Sequence, residues 1–374
     1  MRLPARDRFV LPSATYLAGS SLGLQPRTAR AAIDAVLDAW GSDGVEAWVG
    51  AGWLEHAESL APSLARLVGT AAQEVIVMNS LTVNLHLVLA ALYRPTASRF
   101  RIAIDADAFP SDAHAVASVV ALHGHRPEVA VAGSLDDLDE SVAVVVAAGV
   151  SYLTGERADI AAITARAHAV GALAVWDLAH AIGNVPIDLA AAAADAAVWC
   201  SYKYLNGGPG APGGAFIAER HHGAPRLAGW WGVDLRERFR METAFVAGRG
   251  AAGFALSTPS ILALAPLVAS LELFDLVGIE VLRERSIALT GHLQRRLASV
   301  GRARLLTPTE PERRGCQLSI ALPDAGEVAA RLRIDHDVVC DFREPDVLRL
   351  APTPFYNSEA DCDRAADALA ALLA

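Results

Sequence analysis

Leu-Ala-Val-Trp-Asp-Leu-Ala-His (173–180) and Ala-Ala-Val-Trp-Cys-Ser-Tyr-Lys-Tyr-Leu-Asn (196–206) are the two stretches that decide the fold. Each begins as a short apolar run typical of a buried strand and then turns polar, at Asp177 in the first and around Lys203 in the second. Because parallel strands place ligands at their carboxyl ends, Asp177 and Lys203 are predicted to meet at one edge of a sheet. Lys203 stands between aromatic residues, an apolar context that suits an amine nucleophile.

A lysine and an aspartate at neighbouring strand ends indicate a pyridoxal phosphate (PLP) site. The lysine amine can form a Schiff base with the cofactor aldehyde, and the aspartate can keep the pyridine nitrogen protonated so that the ring accepts electrons. Taken singly, the residues have simpler explanations: Asp177 could cap a helix, His180 could be a hydrogen-bonded core histidine, and an isolated lysine is usually exposed. The pairing favours the cofactor site.

Short apolar runs alternate with amphipathic stretches through the first two thirds of the chain, which indicates βαβ units. Helical pattern fills most gaps, as at Val83–Leu92 and Asp159–Val170. The predicted strands are Glu74–Met78, Phe100–Asp105, Val142–Ala147, Ala172–Trp176, Ala196–Cys200 and Gly214–Ile217.

After Thr258 the pattern predicts a long helix, Ser260–Leu276 continuing as Glu280–Ser299, that passes between two domains. A smaller α+β unit is predicted to follow, closed by a helix at Glu359–Leu373. Its predicted strands lie near Gln317–Ala321, Val338–Asp341 and Val347–Leu350.

Composition excludes several classes of protein. The chain has 374 residues, enough for one large and one small domain, and its net charge of −10 comes with no run of Lys or Arg, so no nucleic-acid partner is expected. Neither a signal peptide nor an apolar segment of membrane-spanning length is apparent, so a cytoplasmic protein without a membrane partner is expected. No metal site is expected, because the cysteines lack ligand spacing and are interpreted as small buried hydrophobes: Cys200, Cys316, Cys340 and Cys362.

Two further polar segments follow predicted strands. Asn79-Ser80-Leu81-Thr82 opens a predicted helix whose N-terminus could bind phosphate. Plain capping by Ser80 or Thr82 explains the same residues equally well. In Phe109-Pro110-Ser111-Asp112 the aromatic ring could stack on a flat cofactor, or the segment could be a turn.

A series of motifs runs through the chain in a fixed order: Gly-Ser-Ser-Leu-Gly-Leu-Gln-Pro (19–26), Leu-Thr-Val-Asn-Leu-His (81–86), Phe-Pro-Ser-Asp (109–112), Trp-Asp-Leu-Ala-His (176–180), Cys-Ser-Tyr-Lys-Tyr-Leu-Asn (200–206), Gly-Trp-Trp-Gly (229–232), Arg-Arg-Gly-Cys-Gln-Leu (313–318), Val-Val-Cys-Asp (338–341) and Arg-Leu-Ala-Pro-Thr-Pro-Phe-Tyr-Asn-Ser (349–358). In these motifs the chain resembles kynureninase, a PLP enzyme that hydrolyses kynurenine to anthranilate and alanine. Each motif alone is weak, but their order and spacing are highly specific for the family.

The resemblance implies an α/β protein with the fold-type I PLP-dependent transferase fold. A large domain would hold a mostly parallel seven-stranded sheet, and a small C-terminal α+β domain would follow. The implied parts are an N-terminal arm at 1–25, a large PLP-binding domain at 26–258, and a linking helix with the small domain at 259–374. A homodimer with shared active sites is also implied.

Carried over position by position, the resemblance implies that Lys203 is the Schiff-base lysine, that Asp177 pairs with the pyridinium and that Tyr202 donates and accepts protons. Trp230 and Thr258 would come from the second subunit. The implied cofactor-binding residues are Leu81, Thr82, Phe109, Asp112, Asp177, His180, Tyr202, Lys203, Trp230 and Thr258. The implied substrate-binding residues are Trp48, Ser20, Val233 and Arg349.

Substrate recognition departs from the family more than cofactor binding does. Arg349, which is retained, would clamp the substrate α-carboxylate through two parallel hydrogen bonds. The departures are Ser20 and Val49 where asparagine is usual, Val233 where a histidine lies close to the aryl end of kynurenine, and Ala148 where a hydroxyl residue is expected near the phosphate. The cofactor chemistry is therefore predicted to be intact and the substrate pocket altered.

Three hypotheses of function follow. The first is hydrolysis of kynurenine or a ring-substituted kynurenine, a step of tryptophan catabolism. The second is a kynureninase-like PLP enzyme of a biosynthetic pathway that acts on a different β-acyl amino acid, with an altered reaction outcome. The third, a catalytically silent cofactor-binding or dimer-partner protein, conflicts with the retained Lys203, Asp177 and Arg349. The sequence leaves the first two open.

Overall fold

The structure, a computed structural model, describes residues 5–136, 138–301 and 303–373. The strands are β1 Thr15–Tyr16, β2 Val75–Val77, β3 Arg101–Ile104, β4 Val131–Ala132, β5 Val142–Ala148, β6 Leu173–Asp177, β7 Ala196–Trp199, β8 Gly214–Ile217, β9 Arg304–Leu305, β10 Leu318–Ala321, β11 Val338–Val339, β12 Asp341–Arg343 and β13 Val347–Leu350. The α-helices are α1 Ala29–Asp43, α2 Ala47–Gly50, α3 Ala61–Val68, α4 Leu81–Leu92, α5 Pro110–Leu122, α6 Pro127–Ala130, α7 Ile160–Ala169, α8 Leu235–Arg238, α9 Ile261–Val277, α10 Ile279–Leu297, α11 Ala325–His336 and α12 Glu359–Leu373.

A seven-stranded sheet forms the centre of the molecule, in the order β2-β8-β7-β6-β5-β3-β4. Its strands run parallel except β8, which is antiparallel to both β2 and β7. The predicted mostly parallel seven-stranded sheet is thus confirmed. All six predicted strands of this region agree with the observed ones to within one residue at either end. Continuous apolar runs mark these strands because both faces of the sheet are covered.

Two apolar cores cover the two faces. In β2, Val75 and Val77 join the core that contains α3 and α9, whereas Ile76, between them, joins the core that contains α4 and α5. The alternation follows from the two-residue period of a strand. The sheet therefore lies between two layers of helices. The helices cover its faces but leave the carboxyl ends of its strands uncovered, where a site can form.

The C-terminal part has its own sheet and core. Strands β12-β13-β10-β9 form an antiparallel sheet, against which α10, α11 and α12 pack. One prediction here is wrong: Val338–Asp341 is not a single strand. Val338–Val339 pairs in parallel with Thr15–Tyr16 near the N-terminus, and Asp341 begins a separate strand that pairs with β13.

The long helix predicted after Thr258 is two helices, α9 and α10, bent by 84° at Gly278, where φ is 82°. In the described residues no single helix is long and apolar enough to cross a membrane, although this bent pair meets those criteria when its two helices are taken together. The cytoplasmic location and the three-part division of the chain stay predictions.

Candidate active site

A cavity of about 1090 Å³ opens at the carboxyl ends of β3, β5, β6 and β7. This is the edge of the sheet at which the sequence predicts a site. Seven of the predicted cofactor-binding residues line it, namely Leu81, Thr82, Phe109, Asp177, His180, Tyr202 and Lys203.

Lys203 lies in a turn directly after β7. The turn closes through a hydrogen bond of 2.8 Å from the Gly207 N–H to the Ser201 carbonyl oxygen, with Asn206 in the left-handed region at φ 52°. Lys203 Nζ lies 2.9 Å from His180 Nε2. Burial, together with the charge of Lys203, lowers the pKa of His180 well below its usual value, so the imidazole is neutral and Nε2 accepts from the amine.

The same assignment places the His180 hydrogen on Nδ1, a buried atom without a partner among the described residues. A neutral imidazole beside the amine orients Lys203 without neutralising it. The side chain is thus more than a satisfied core histidine, because it lines the cavity, one of its nitrogens is hydrogen-bonded to Lys203 and the other has no partner among the described residues.

Asp177 ends β6 and is buried, with its Oδ1 accepting a hydrogen bond of 2.7 Å from the Ala179 N–H. This hydrogen bond is a capping interaction, so the capping role considered for Asp177 from the sequence is part of what the residue does. Asp112, in the first turn of α5, is buried against Asp177 and hydrogen-bonds to it. Burial, with the Asp177 charge, raises the pKa of Asp112 to about 9, so Asp112 is protonated at neutral pH and donates to Asp177.

Two helix N-termini meet at the other end of the cavity. Thr82 in α4 and Ser111 in α5 lie with their hydroxyl oxygens 2.6 Å apart, and both residues line the cavity. Ser80, the residue that precedes α4, makes no side-chain cap, so plain capping does not explain this segment. Ser111 was not singled out by the sequence reasoning, although it lies inside the quoted segment 109–112.

Phe109 presents a ring that is 40% exposed, with its centroid 5.8 Å from Lys203 Nζ. Tyr152, after β5, packs edge-on against this ring at a centroid distance of 5.1 Å and also lines the cavity. Tyr152 is not among the residues predicted from the sequence, although its place just beyond the predicted strand Val142–Ala147 is a signal for a site residue. The remaining wall includes Ala148, the last residue of β5.

Tyr202 also lines the cavity and is partly buried. Burial raises the pKa of its hydroxyl, and neighbouring Cys200 adds to the effect. The phenol is therefore protonated at neutral pH and can donate a proton.

Several predicted site residues lie elsewhere within this chain. The Trp48 ring packs 5.9 Å from that of Trp231, in an aromatic cluster outside the cavity. Trp230 joins the same cluster, with its Nε1 donating to the Arg238 carbonyl oxygen at 2.9 Å. Val233, which directly follows the short 3-10 helix Trp230–Gly232, is extended and forms a β-bridge with Ala247.

Thr258, Ser20 and Arg349 are also outside the cavity lining, as is Asp112. Thr258 is exposed beside a separate cavity of about 160 Å³. Ser20 is buried, and its hydroxyl has no partner in the part of the chain that the structure describes. Arg349 is completely buried and is paired with Asp341. The roles of these residues stay predictions.

The residues of the cavity fit PLP. An amine, a buried carboxylate, paired hydroxyls at two helix N-termini and an exposed aromatic ring match the aldehyde, pyridine nitrogen, phosphate and flat ring of that cofactor. The buried His180 Nδ1, without a protein acceptor among the described residues, supports a ligand in this cavity. No group of metal-ligating side chains was found in the ranges that the structure describes.

Comparison with solved structures supports the fold. A C-DES mutant with glycine covalently linked to its PLP cofactor matches with a TM-score of 0.86 at 18% identity, covering 98% of this chain and 99% of that one. The apo structure of cysteine desulfurase from Thermococcus onnurineus NA1 matches with a TM-score of 0.80 at 17% identity, covering 100% of this chain and 98% of that one. The predicted fold-type I class is confirmed.

Comparison of sequences identifies the family. The kynureninase C-terminal domain model matches residues 282–369. A kynureninase of Salinispora tropica is 46% identical over 396 residues, covering 99% of this chain and 92% of the relative. A kynureninase of Xanthomonas euvesicatoria pv. vesicatoria is 47% identical over 388 residues, covering 95% of this chain and 92% of the relative. Since such identity extends over almost the whole chain, the protein belongs to the kynureninase family.

Proposed function

We propose that the protein binds PLP and hydrolyses the Cβ–Cγ bond of L-kynurenine, or of a ring-substituted kynurenine. One water is consumed, and an anthranilate-type acid and L-alanine are released. The observation that carries the proposal is the placement of Lys203 Nζ beside the neutral His180, in the same cavity as the buried Asp177. Membership of the kynureninase family supports this reaction over the other chemistries of the fold.

Each part of the cofactor would have a partner in the cavity. Lys203 would bond covalently to the aldehyde, and Asp177 would pair with the pyridine nitrogen. Leu81, Thr82 and Ser111 at the two helix N-termini would hold the phosphate, where free N–H groups favour anions. Phe109 would stack on the ring. Bound PLP would supply an acceptor for the electrons released at the substrate Cα.

Two protein groups would move protons. Lys203 Nζ, oriented by its hydrogen bond of 2.9 Å to His180, would remove the Cα proton of the substrate. The Tyr202 hydroxyl is protonated at neutral pH. It would donate a proton to Cβ when the Cβ–Cγ bond breaks, and it would take a proton from the attacking water. Arg349 would bind the substrate carboxylate.

We also propose a homodimer whose subunits share their active sites. Trp230, Phe239 and Met241 are 45%, 56% and 75% exposed, and the Trp230 and Phe239 rings lie 5.6 Å apart. Clustered exposed apolar side chains of this kind support a contact surface. A second subunit would cover them and bring Trp230 and Thr258 to the partner's cavity, which explains why these residues lie outside the cavity of their own chain.

The second hypothesis, a biosynthetic enzyme with another β-acyl amino acid as substrate, is not favoured. Nearly full-length relatives at 46–47% identity bear the name kynureninase. The retained cofactor residues fit either reaction, so the preference rests on the family.

The direct test is incubation of the purified yellow holoenzyme with L-kynurenine while anthranilate fluorescence is followed. Anthranilate and alanine are expected in equal amounts, and Lys203→Ala is expected to form neither. A holoenzyme that binds kynurenine without releasing anthranilate would contradict the hydrolysis. Borohydride reduction and peptide mapping give an independent check, since the pyridoxyl label is expected on Lys203.

A further inference from the structure

The Arg349 side chain does not line the cavity itself, but it contacts Tyr152, which does. Its guanidinium is fully buried on β13, and its Nε and Nη2 each donate a hydrogen bond of 2.6 Å to one of the two carboxylate oxygens of Asp341. Nη1 donates to the Tyr152 carbonyl oxygen at 2.6 Å, and Nη2 also donates to the Ser21 hydroxyl at 3.1 Å; that hydroxyl in turn donates to the Asp341 carboxylate. Tyr152 lines the cavity, so the guanidinium lies one residue behind the cavity wall.

The pairing with Asp341 is built into the small sheet. Asp341 and Arg349 are directly opposite each other in the antiparallel ladder of β12 and β13. Opposite charges at directly facing positions attract, and the planar fork of arginine matches the two carboxylate oxygens. Because Asp341 takes the Nε/Nη2 edge, the orientation of the guanidinium plane is fixed.

A second edge of the guanidinium remains. Arginine carries five N–H donors, and the four hydrogen bonds use one on Nε, one on Nη1 and two on Nη2. The fifth N–H, on Nη1, has no acceptor among the described residues, and a buried donor in this state is costly unless a ligand satisfies it. A second carboxylate would bind at the remaining Nη1/Nη2 edge, provided that the Nη2 hydrogen leaves the Ser21 hydroxyl.

Charge also favours a second carboxylate. Burial would raise the pKa of Asp341, but hydrogen bonds and charge from Arg349 lower it, so Asp341 is ionised at neutral pH. Arg343 Nη2 lies 3.6 Å from the same carboxylate. Two arginines and one aspartate leave one positive charge in a mostly buried site, which one substrate carboxylate would neutralise.

We propose that Asp341 is a positioning residue for the substrate: it holds Arg349 by the Nε/Nη2 edge and so presents the Nη1/Nη2 edge to the α-carboxylate of an amino acid. The Ser21 hydroxyl occupies that edge until the substrate displaces it. This inference rests on the proposed function, in which the substrate is an α-amino acid and Arg349 receives its carboxylate.

The test compares holoenzymes of the wild type and Asp341→Asn. An asparagine keeps the shape but turns an N–H donor toward the guanidinium, so Arg349 loses its fixed orientation. KM for kynurenine is expected to rise roughly ten- to a hundredfold, the scale of one charged hydrogen bond, with kcat changed much less. Binding of kynuramine, which is kynurenine without its carboxylate, is expected to be unchanged when followed by the visible absorbance of the cofactor.

Controls separate positioning from general damage. Asp335→Asn removes an aspartate from a surface pair with Arg331 in the same part of the chain and is expected to change neither ligand's affinity. Asp341→Glu, which keeps the charge, is expected to recover part of the KM. Equal weakening of kynurenine and kynuramine by Asp341→Asn, an unchanged KM, or a lower KM would overturn the proposal; a lower KM would mean that Asp341 competes with the substrate.

Ser21→Ala tests the proposal if Asp341→Asn fails to fold. The ion pair stays. The Nη2 hydrogen loses its acceptor in the free enzyme alone, whereas Asp341 loses the hydrogen bond from Ser21 in both the free and the bound enzyme. Carboxylate ligands are therefore expected to bind roughly two- to tenfold more tightly. Weaker or unchanged binding would overturn the displacement. Titration with alanine and ethylamine needs no turnover, so the role of Asp341 can be tested even if the wild type releases no anthranilate, an outcome that would contradict only the proposed hydrolysis.

Discussion

Asp177 and Asp112 are two buried carboxyl groups in contact, and their environments give them different tasks. Asp112 carries the proton of the pair, because burial and the neighbouring charge hold its pKa at about 9. Burial raises the pKa of Asp177 as well, but the charge of Lys203 and hydrogen bonds from the Ala179 N–H and from Asp112 oppose that rise. The carboxyl group that accepts the shared hydrogen bond is thus the one that lines the cavity, where a protonated pyridine nitrogen needs a negative partner.

Asp177→Asn tests that assignment. The amide keeps the size of the side chain and can still accept from the Ala179 N–H, so cofactor binding is expected to survive. Activity is expected to fall roughly a hundredfold or more, the scale of losing one positioned electrostatic group. Steady-state rates together with the visible spectrum measure both effects. Near wild-type activity would mean that the pyridine nitrogen has another partner.

Asp112→Asn should change the pH dependence of stability in the cofactor-free protein. Between the ordinary value of 3.8 and about 9 the folded carboxyl keeps a proton that the unfolded one gives up, so this group makes stability fall as pH rises through that window. The asparagine variant has no such proton and is expected to lose that slope. Denaturant unfolding at a series of pH values between 3.8 and about 9 measures the free energy of unfolding of both proteins. Identical pH slopes for variant and wild type would contradict the protonation assigned to Asp112.

We predict that substrate choice depends on residues that depart from the family. With Ser20, Val49 and Val233 in place of asparagines and a histidine, the pocket for the aryl group is predicted to offer fewer hydrogen bonds. An apolar pocket discriminates by about 1–3 kcal/mol per methylene-sized change and gives no special gain to a hydroxyl. We expect poorer kcat/KM for 3-hydroxykynurenine than for unsubstituted or alkyl-bearing kynurenines. A clear preference for the hydroxylated substrate would refute this expectation.

At the scale of elements, local pattern predicted six of the seven strands of the central sheet well, because each of the six is a continuous apolar run. The seventh, β4 Val131–Ala132, was not predicted, since two residues are too few to form a pattern. Local pattern also failed where pairing is long-range. Val338–Val339 pairs with Thr15–Tyr16, and from Asp341 the chain pairs with β13 instead. The hydrophobic periodicity of the local sequence does not reveal this change of partner strand. The bend between α9 and α10 was also missed, although Gly278 at φ 82° supplies the local signal.

The same limit applies to the site. The sequence predicted that Asp177, His180 and Lys203 lie close together, because the carboxyl ends of parallel strands meet at one edge of the sheet. The partner of Arg349 could not be predicted in this way, since it depends on the register of β12 against β13 and on the approach of the N-terminal segment through Ser21.

The N-terminal segment supports the Lys203 turn from behind. The Gly23 N–H donates to the Tyr202 carbonyl oxygen at 2.8 Å, and a Cβ at Gly23 would overlap the Lys203 carbonyl oxygen and the Asn206 side chain. Gly23→Ala is expected to destabilise the protein by roughly 1–3 kcal/mol and to weaken cofactor retention. Gly41→Ala, in the exposed helix α1 with open space around it, is the matched control and should stabilise by roughly 0.5–1 kcal/mol. Thermal melts and retained visible absorbance measure both, and equal behaviour of the two variants would contradict the close packing.

At the scale of the whole molecule, the two ends of the central sheet carry opposite kinds of buried carboxylate. Asp195, at the amino end of β7, accepts hydrogen bonds from His221, His168 and Arg220. Burial alone would raise the pKa of Asp195, but these hydrogen bonds and one from the Ala174 N–H lower it far below its usual value. The Asp195 carboxylate is thus satisfied and stabilises the fold, whereas at the carboxyl end the buried His180 Nδ1 has no partner among the described residues.

The shared active sites of the proposed dimer can be tested by mixing inactive subunits. If Trp230 serves the partner's cavity, a hybrid of Lys203→Ala and Trp230→Ala subunits contains one complete site, with Lys203 from one chain and Trp230 from the other. Co-expression of the two variants is therefore expected to restore activity that neither homodimer has. Lys203→Ala mixed with Asp177→Asn is the control, because both residues line the cavity of a single chain and no hybrid site is complete. Failure of the first pair to regain activity, with hybrid dimers verified by mass, would place Trp230 in the site of its own subunit.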